Sequence, residues 1–174
     1  MWELEILAKA KRFVSEVYLE EPDIIVNIDS SKIAIPCKNI FSEKGVEKVL
    51  SNAVSQIERS FDFGIVAINI DGLLPAHAVL RVRTFSELED KLHLENIKFL
   101  ARNERYFLKF FSKNRIIAVI VSISIIAEIE EETPQFNNSN QWAIWTVPNL
   151  DLKYKKQIND FSMKLACRLY EENS

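Results

Sequence analysis

The sequence predicts an α/β protein with one mixed central sheet flanked by helices. Two observations lead to this prediction: segments with a helical apolar period alternate with short β-branched segments, and the length and composition suit one domain. The chain has 174 residues, of which 48% are apolar, enough to bury a continuous core. We therefore interpret residues 1–174 as a single domain.

The predicted elements follow the order helix, two strands, helix, strand, helix, two strands, helix. Ser42 and Thr84 are expected to cap the second and third helices, because hydroxyl side chains accept hydrogen bonds from the free N–H groups of a first turn. The helices are expected at 3–20, 43–60, 84–112 and 153–171, and the strands at 23–29, 32–39, 63–70, 115–128 and 141–147.

The most informative segment is 22–38, which is typical of a β-hairpin. Two apolar, β-branched runs over 23–29 and 32–38 flank Ser30-Ser31, a plausible two-residue turn. With this turn, the numbers of paired residues sum to about 61, a register set by the turn length.

That register gives the hairpin two different faces, since side chains alternate along a strand. One face is apolar and includes Ile24, Ile35 and Cys37. The other face places Asp23 directly opposite Lys38 at the open end of the hairpin. Without further information, this acid and base read as a cross-strand ion pair.

Pro22-Asp23 at the start of one strand, followed on the next strand by Pro36 and Lys38, resembles the PD-(D/E)XK nuclease superfamily. The hallmark of that family is Pro-Asp at a strand start and then an Asp or Glu two residues before a Lys. The resemblance implies a restriction-endonuclease-like core and Mg²⁺-dependent hydrolysis of DNA phosphodiesters. In that reading Asp23 is a metal ligand, and Lys38 positions or activates the attacking water.

The departure from the family pattern is Pro36, which brings no carboxylate where the second metal ligand is expected. Cys37 does not replace it, because its side chain faces the core and a thiolate suits Mg²⁺ poorly. Asp29 is six residues from Asp23, roughly 20 Å along a strand. Family members often supply another Glu from the first helix. Two glutamates of the predicted first helix are therefore candidate ligands: Glu16 and Glu20.

Softer parts of the family pattern extend the resemblance over residues 13–71. The helix after the lysine strand contains Ala53 and Gln56, and the buried strand 63–70 follows. Gln56 is a candidate catalytic residue in this reading. It is equally interpretable as a polar residue near a helix boundary.

A candidate phosphate-binding surface lies on the third predicted helix. Four cations recur there at spacings of four, three and four residues, which stacks them on one helix face: Lys98, Arg102, Arg105 and Lys109. The alternative is a solvated face opposite a core stripe, as most amphipathic helices have.

Composition excludes several classes of protein. The net charge of −3 shows that the chain is not globally basic, so DNA binding would need a local patch. Three glycines form no phosphate-binding loop, and Cys37 and Cys167 fit reduced thiols better than a disulfide scaffold.

The longest apolar run, Ile116 to Ala127, is too short to span a bilayer. We expect a soluble cytoplasmic protein without membrane contact.

The functional prediction is a nuclease-fold protein that acts on or binds DNA, with Mg²⁺ as cofactor if it is active. The alternative is a catalytically inactive nuclease-fold module that binds or scaffolds another protein. A homodimer is compatible with either. A third interpretation is an unrelated mixed α/β protein with a protein partner, which a structure separating Asp23 from Lys38 would favour.

Overall fold

The computed structural model describes residues 2–12, 14, 16–28, 31–75, 78–111, 116–146, 150–152, 154–156 and 158–159. These residues form one eight-stranded sheet with helices packed on both faces. The predicted class, a mixed α/β sheet flanked by helices, is confirmed.

The helices are Trp2–Lys11 (α1), Val46–Glu58 (α2) and Phe85–Phe111 (α3). The strands are Val17–Glu20 (β1), Asp23–Ile28 (β2), Ser31–Ile35 (β3), Cys37–Asn39 (β4), Gly64–Asn69 (β5), Val79–Val82 (β6), Ile116–Ile129 (β7) and Phe136–Thr146 (β8). Residues 152, 154–156 and 158–159 are also helical, and the rest of the helix predicted at 153–171 lies outside the described residues. No helix in the described part of the chain has the length and apolar character that a membrane span requires.

The sheet combines an antiparallel and a parallel part. β1, β2 and β3 form an antiparallel meander. β3 and β4 are separated only by Pro36, and both run parallel to β5, which is parallel to β7. β6 runs parallel to β7 beyond the end of β5, and β8 pairs antiparallel with β7 along most of its length. The carboxyl ends of β4 and β5 therefore lie side by side.

Two apolar cores lie on opposite faces of the sheet. One contains the buried faces of α2 and α3, packed against β5 and β7. The other contains Ile6 and Ala10 of α1, packed with the inner face of the β2–β3 hairpin and with Leu150 and Ile158. The central strand β5 is buried along its whole length, as expected for a strand covered on both faces.

The first predicted helix is wrong in extent. α1 ends at Lys11, and Val17–Glu20 forms the edge strand β1, which pairs with β2. Val17 has the spacing of a helical core residue relative to Ala10, but it is buried because it pairs with Val26 in the sheet. The helical spacing of apolar residues therefore continues past Lys11, and no glycine or proline marks the end of the helix there.

Two strands extend beyond the sequence prediction. β6 was not predicted, and β8 begins at Phe136, five residues before the predicted strand start at residue 141. Asn137 and Asn138 join the sheet because β7 continues to Ile129 and offers them backbone partners. The pairing of a polar strand with a long neighbour is a long-range effect that composition does not reveal.

The hairpin prediction is confirmed in its faces and wrong in its register. Ile24 pairs with Ile35 and Ile28 pairs with Ser31, so paired numbers sum to 59. Ser31 belongs to β3 and not to the turn. A shift of two residues keeps every side chain on its predicted face, whereas a shift of one would have reversed the faces. Cys37 accordingly belongs to the core shared with Ile24.

Candidate functional site

The structure brings the side chains of Asp23 and Lys38 together, as the sequence predicts, but Lys38 lies on β4 and is not the hairpin partner directly opposite Asp23. Lys38 Nζ lies 3.4 Å from Asp23 Oδ2, and the side chains are 19% and 31% exposed, respectively. The same carboxylate oxygen accepts a hydrogen bond of 2.8 Å from the backbone N–H of Cys37. Asp23 Oδ2 therefore has a cation and an amide donor as neighbours.

The antiparallel ladder between β2 and β3 ends at the pair of Ile24 and Ile35, one residue before Pro36. The register that pairs Ile24 with Ile35 would place Pro36 opposite Asp23, but the ladder does not continue to that pair. The chain turns to β5 instead, with the Ala67 N–H donating to the Pro36 carbonyl at 3.0 Å. The Cys37 N–H, left without a strand partner, donates to the Asp23 carboxylate.

Asp23 also has an unusual backbone conformation. Its φ is 135°, a value that residues other than glycine rarely adopt. Such a conformation costs on the order of 1–3 kcal/mol and persists where surrounding contacts hold it. The hydrogen bond to Cys37 and the ion pair with Lys38 are contacts of that kind.

The Cys37 thiol is not available as a ligand or nucleophile. Its side chain is buried, and its Sγ lies 3.5 Å from the Ile35 carbonyl oxygen. Burial raises the pKa of this thiol far above its ordinary value, and the nearby carboxylates of Asp23 and Glu3 raise it further. Because the thiolate is the form that binds metals and attacks electrophiles, Cys37 is inert in the folded protein.

Glu3 is a residue near the site that the sequence analysis missed. It lies in the first turn of α1 and lines the same surface hollow as Asp23. The pKa of its carboxyl is lowered, chiefly because its own backbone N–H donates to it, and the Lys38 ammonium adds a smaller attraction. Only its place in the first turn of a helix could have indicated it, and the sequence does not show that this helix reaches the hairpin.

Glu16 and Glu20 do not lie on a helix. Glu16 precedes β1, and its carboxylate accepts a 2.6 Å hydrogen bond from the Asn27 side chain. Asn27 is four residues from Asp23 on β2, about 13 Å away, so the structure does not bring Glu16 to Asp23. Glu20 is the register partner of Asp23 and lines the same hollow.

Gln56 lies near the end of α2. The next residue, Ile57, packs against Gly64 at the start of β5, whereas Lys38 pairs with Ile68 four residues further along that strand. The Ile57 side chain therefore meets β5 about 13 Å along the strand from the residue that pairs with Lys38. Gln56 Oε1 is buried without a hydrogen-bond partner among the described residues. A catalytic role for Gln56 stays a prediction.

The side chains around Asp23 do not fit a metal centre of the expected kind. Mg²⁺ requires several oxygen ligands in octahedral geometry. Pro36 offers none, and one Asp23 oxygen is already bonded to Lys38 and to the Cys37 amide. In the part of the chain that the structure describes, no three His, Cys, Asp or Glu side chains converge closely enough to hold a metal ion.

The cations of α3 are largely paired with acids. Arg102 lies 2.6 Å from Glu43 and Lys109 lies 2.5 Å from Glu47, so both link α3 to the chain around the start of α2. Lys98 pairs with Glu95 within α3, at 2.8 Å. Arg105 donates to the Tyr106 hydroxyl and packs on its ring. The surface therefore carries mixed charge, which reduces its attraction for phosphate.

Comparison with known proteins adds no assignment. No protein-family model, no curated protein and no solved structure matches this chain. The class supported by the fold is therefore a mixed α/β domain, and its function has to be argued from the geometry around Asp23.

Proposed function

We propose that this chain is a nuclease-fold protein, similar to the PD-(D/E)XK superfamily, whose metal site is degenerate and which serves as a binding module for another protein. The observation that carries this proposal is that Asp23 Oδ2 already accepts hydrogen bonds from Lys38 and from the Cys37 amide. The neighbouring Pro36 has no carboxylate to add. The position at which the family has its second acid thus holds a residue with no donor or acceptor side chain.

Two further observations support the relation to the nuclease fold. Pro22-Asp23 lies at the start of β2, and Lys38 lies on β4, which follows β3 directly after Pro36. The mixed sheet with helices on both faces is compatible with the expected core. The resemblance therefore rests on residues and strand order together.

The test is metal binding and DNA cleavage by the wild-type chain. We expect no saturable heat when Mg²⁺ or Mn²⁺ is titrated into the protein, and no cleavage of supercoiled plasmid with either ion. We expect a Pro36→Glu variant to gain divalent-metal binding, because this position lies opposite Asp23 in the register and a second carboxylate adds a hard oxygen ligand.

The matched control is Pro36→Gln, which has the same length as glutamate but no charge. Circular dichroism of both variants confirms that they fold. Wild-type cleavage of plasmid that is lost in both Asp23→Asn and Lys38→Met would contradict the inactive assignment, whatever the Pro36 variants do.

Glu3 favours a second candidate, a Mg²⁺-dependent nuclease acting on DNA. It comes from the first helix, where the family often supplies an additional glutamate, and it lines the hollow beside Asp23. This candidate requires Glu3 or Glu20 to converge on Asp23 when metal binds. It predicts that Glu3→Gln lowers plasmid cleavage, whereas the inactive module has no cleavage to lose.

A further inference from the structure

An open hollow of about 460 Å³ lies beside Asp23, between the first turn of α1 and the turn that joins β1 to β2. It has a mixed lining of carboxylates and leucines: Glu3, Leu4, Leu19, Glu20, Glu21 and Asp23. These residues lie at 3–4 and 19–23, and the packing of α1 beside β1 and β2 brings the two segments together. The hollow therefore forms only when α1 packs against β1 and β2.

The charge around this hollow is negative. Asp23 is paired with Lys38, and Glu3 accepts from its own backbone. Glu20 and Glu21 are exposed, and neither side-chain carboxylate has a hydrogen bond or an ion pair with the described residues. A polyanion such as DNA is repelled by such a surface, whereas lysine and arginine side chains are attracted to it.

The hollow also exposes apolar surface. Leu4 is 53% exposed and Leu19 is 59% exposed, and both lie between the carboxylates. Apolar side chains rimmed by charged ones are characteristic of protein-interaction surfaces.

β1 provides a third element of recognition. It pairs with β2 on one side, and no strand of the described residues pairs with its other side. Its backbone N–H and C=O groups on that side can therefore bind an added strand. An extended segment placed there would direct its side chains alternately to the face of Leu19 and to the face of Glu20.

We propose that this hollow and the free edge of β1 bind an extended segment of a partner protein that carries alternating basic and apolar residues. The basic side chains would pair with Glu20 and Glu21, and the apolar ones would cover Leu4 and Leu19. This inference rests on the proposed function of the chain as a protein-binding module and adds the chemical class of the partner.

The probe is a fluorescein-labelled decapeptide of alternating lysine and leucine. Fluorescence anisotropy measures its affinity, and amide chemical-shift changes in ¹⁵N-labelled protein locate its binding site. We expect shifts concentrated at residues 3–4 and 18–23. Glu20→Lys/Glu21→Lys should weaken binding by at least about tenfold, because charge pairs at an interface become repulsive. Leu4→Ser/Leu19→Ser, which changes only exposed side chains, should also weaken it.

The matched control is Glu89→Lys/Asp90→Lys on α3, which changes the net charge by the same amount at two other exposed acids. Its affinity should stay within about twofold of wild type, since distant exposed charges are screened. A decapeptide with glutamate in place of lysine, and one with serine in place of leucine, should bind weakly.

The docking proposal is contradicted by an equal loss in both charge-reversed variants, by shifts elsewhere, or by no binding. A 20-base-pair DNA duplex that shifts the same amides more strongly than the peptide also contradicts it. Plasmid cleavage by the wild-type chain would overturn the proposed function and leave this peptide measurement intact. Failure of the peptide alone would leave the metal and cleavage results standing.

Discussion

At the scale of single residues, the backbone decides which side chains can take part in chemistry. The ladder between β2 and β3 ends before Pro36, and the Cys37 amide donates to the side chain of Asp23. Gly64 lies where the backbones of two strands approach closely. A Cβ at this position would lie 2.5 Å from the Ala34 carbonyl oxygen, so only glycine lets β5 run this close to β3.

Cys37 should react very slowly with thiol reagents in the native protein. Burial, with Asp23 and Glu3 nearby, raises its pKa, and the protonated buried thiol is not a nucleophile. The measurement is the rate of reaction with Ellman's reagent in a Cys167→Ser background. We expect labelling on the timescale of global unfolding at neutral pH, and rapid labelling in denaturant. Rapid labelling under native conditions would show that the thiol is accessible.

At the scale of elements, caps and ion pairs determine where the helices begin and how they are held. Thr84 caps α3 as predicted, since its Oγ1 accepts from the Glu87 N–H at 3.1 Å. Ser42 makes no side-chain cap, because the chain first forms a 3₁₀ turn at Glu43–Gly45 before α2 begins at Val46. The hydroxyl residue therefore marks the start of α3 correctly, whereas Ser42 lies four residues before the start of α2.

Replacing Thr84 by alanine should lower the free energy of unfolding by about 1 kcal/mol, because the Glu87 amide loses its hydrogen-bond acceptor. Chemical denaturation monitored by circular dichroism measures the change. Ser86→Ala, an exposed substitution in the same turn, is the control and should change stability by less than about 0.5 kcal/mol. Equal effects of the two substitutions would argue against the cap.

The contribution of Glu87 should depend on pH. The pKa of Glu87 is lowered, first by the Lys91 ammonium that donates to it and then by the Arg83 N–H at 3.0 Å. A lowered folded-state pKa means that the stabilisation is present above the ordinary carboxyl pKa. It is lost as the pH falls through the folded value. Wild type and Glu87→Gln should therefore differ in stability at neutral pH and converge in acid. A constant difference down to low pH would contradict this assignment.

At the scale of the whole molecule, one sheet divides the protein into two cores, and α3 anchors the larger one. Phe99 and Phe107 are fully buried, and the Phe107 ring lies 5.3 Å from the Trp145 ring of β8, centroid to centroid. Arg102 and Lys109 bind acids of the neighbouring 3₁₀ turn and α2 on the outer side. These exposed ion pairs contribute little to stability, so the buried aromatic face holds α3 in place.

Phe107→Ala should destabilise the fold by about 3–5 kcal/mol, because it leaves a large cavity beneath α3. The control is its neighbour Leu108, which is 44% exposed, and Leu108→Ala should cost less than about 1 kcal/mol. Thermal and urea unfolding of the two variants measure the difference. Similar losses at both positions would indicate that α3 packs in a different rotation.

The sequence by itself determined the class of fold, the two faces of the hairpin and the inward direction of Cys37. These features follow from alternation and apolar period, which are local and do not change when a strand shifts by two residues. It also placed Asp23 and Lys38 near each other, although Lys38 lies on β4, which pairs with β5 and not with β2.

Only the tertiary structure decided the register of that hairpin, the end of α1 at Lys11 and the position of Glu3 beside Asp23. Each depends on contacts between different elements: Val17 of β1 with Val26 of β2, β4 with β5, and α1 with the hairpin. Long-range pairing overrides a local apolar period because burying a strand in a sheet outweighs helix propensity. For the same reason the hollow between α1 and β1, and the partner proposed for it, follow from the folded chain alone.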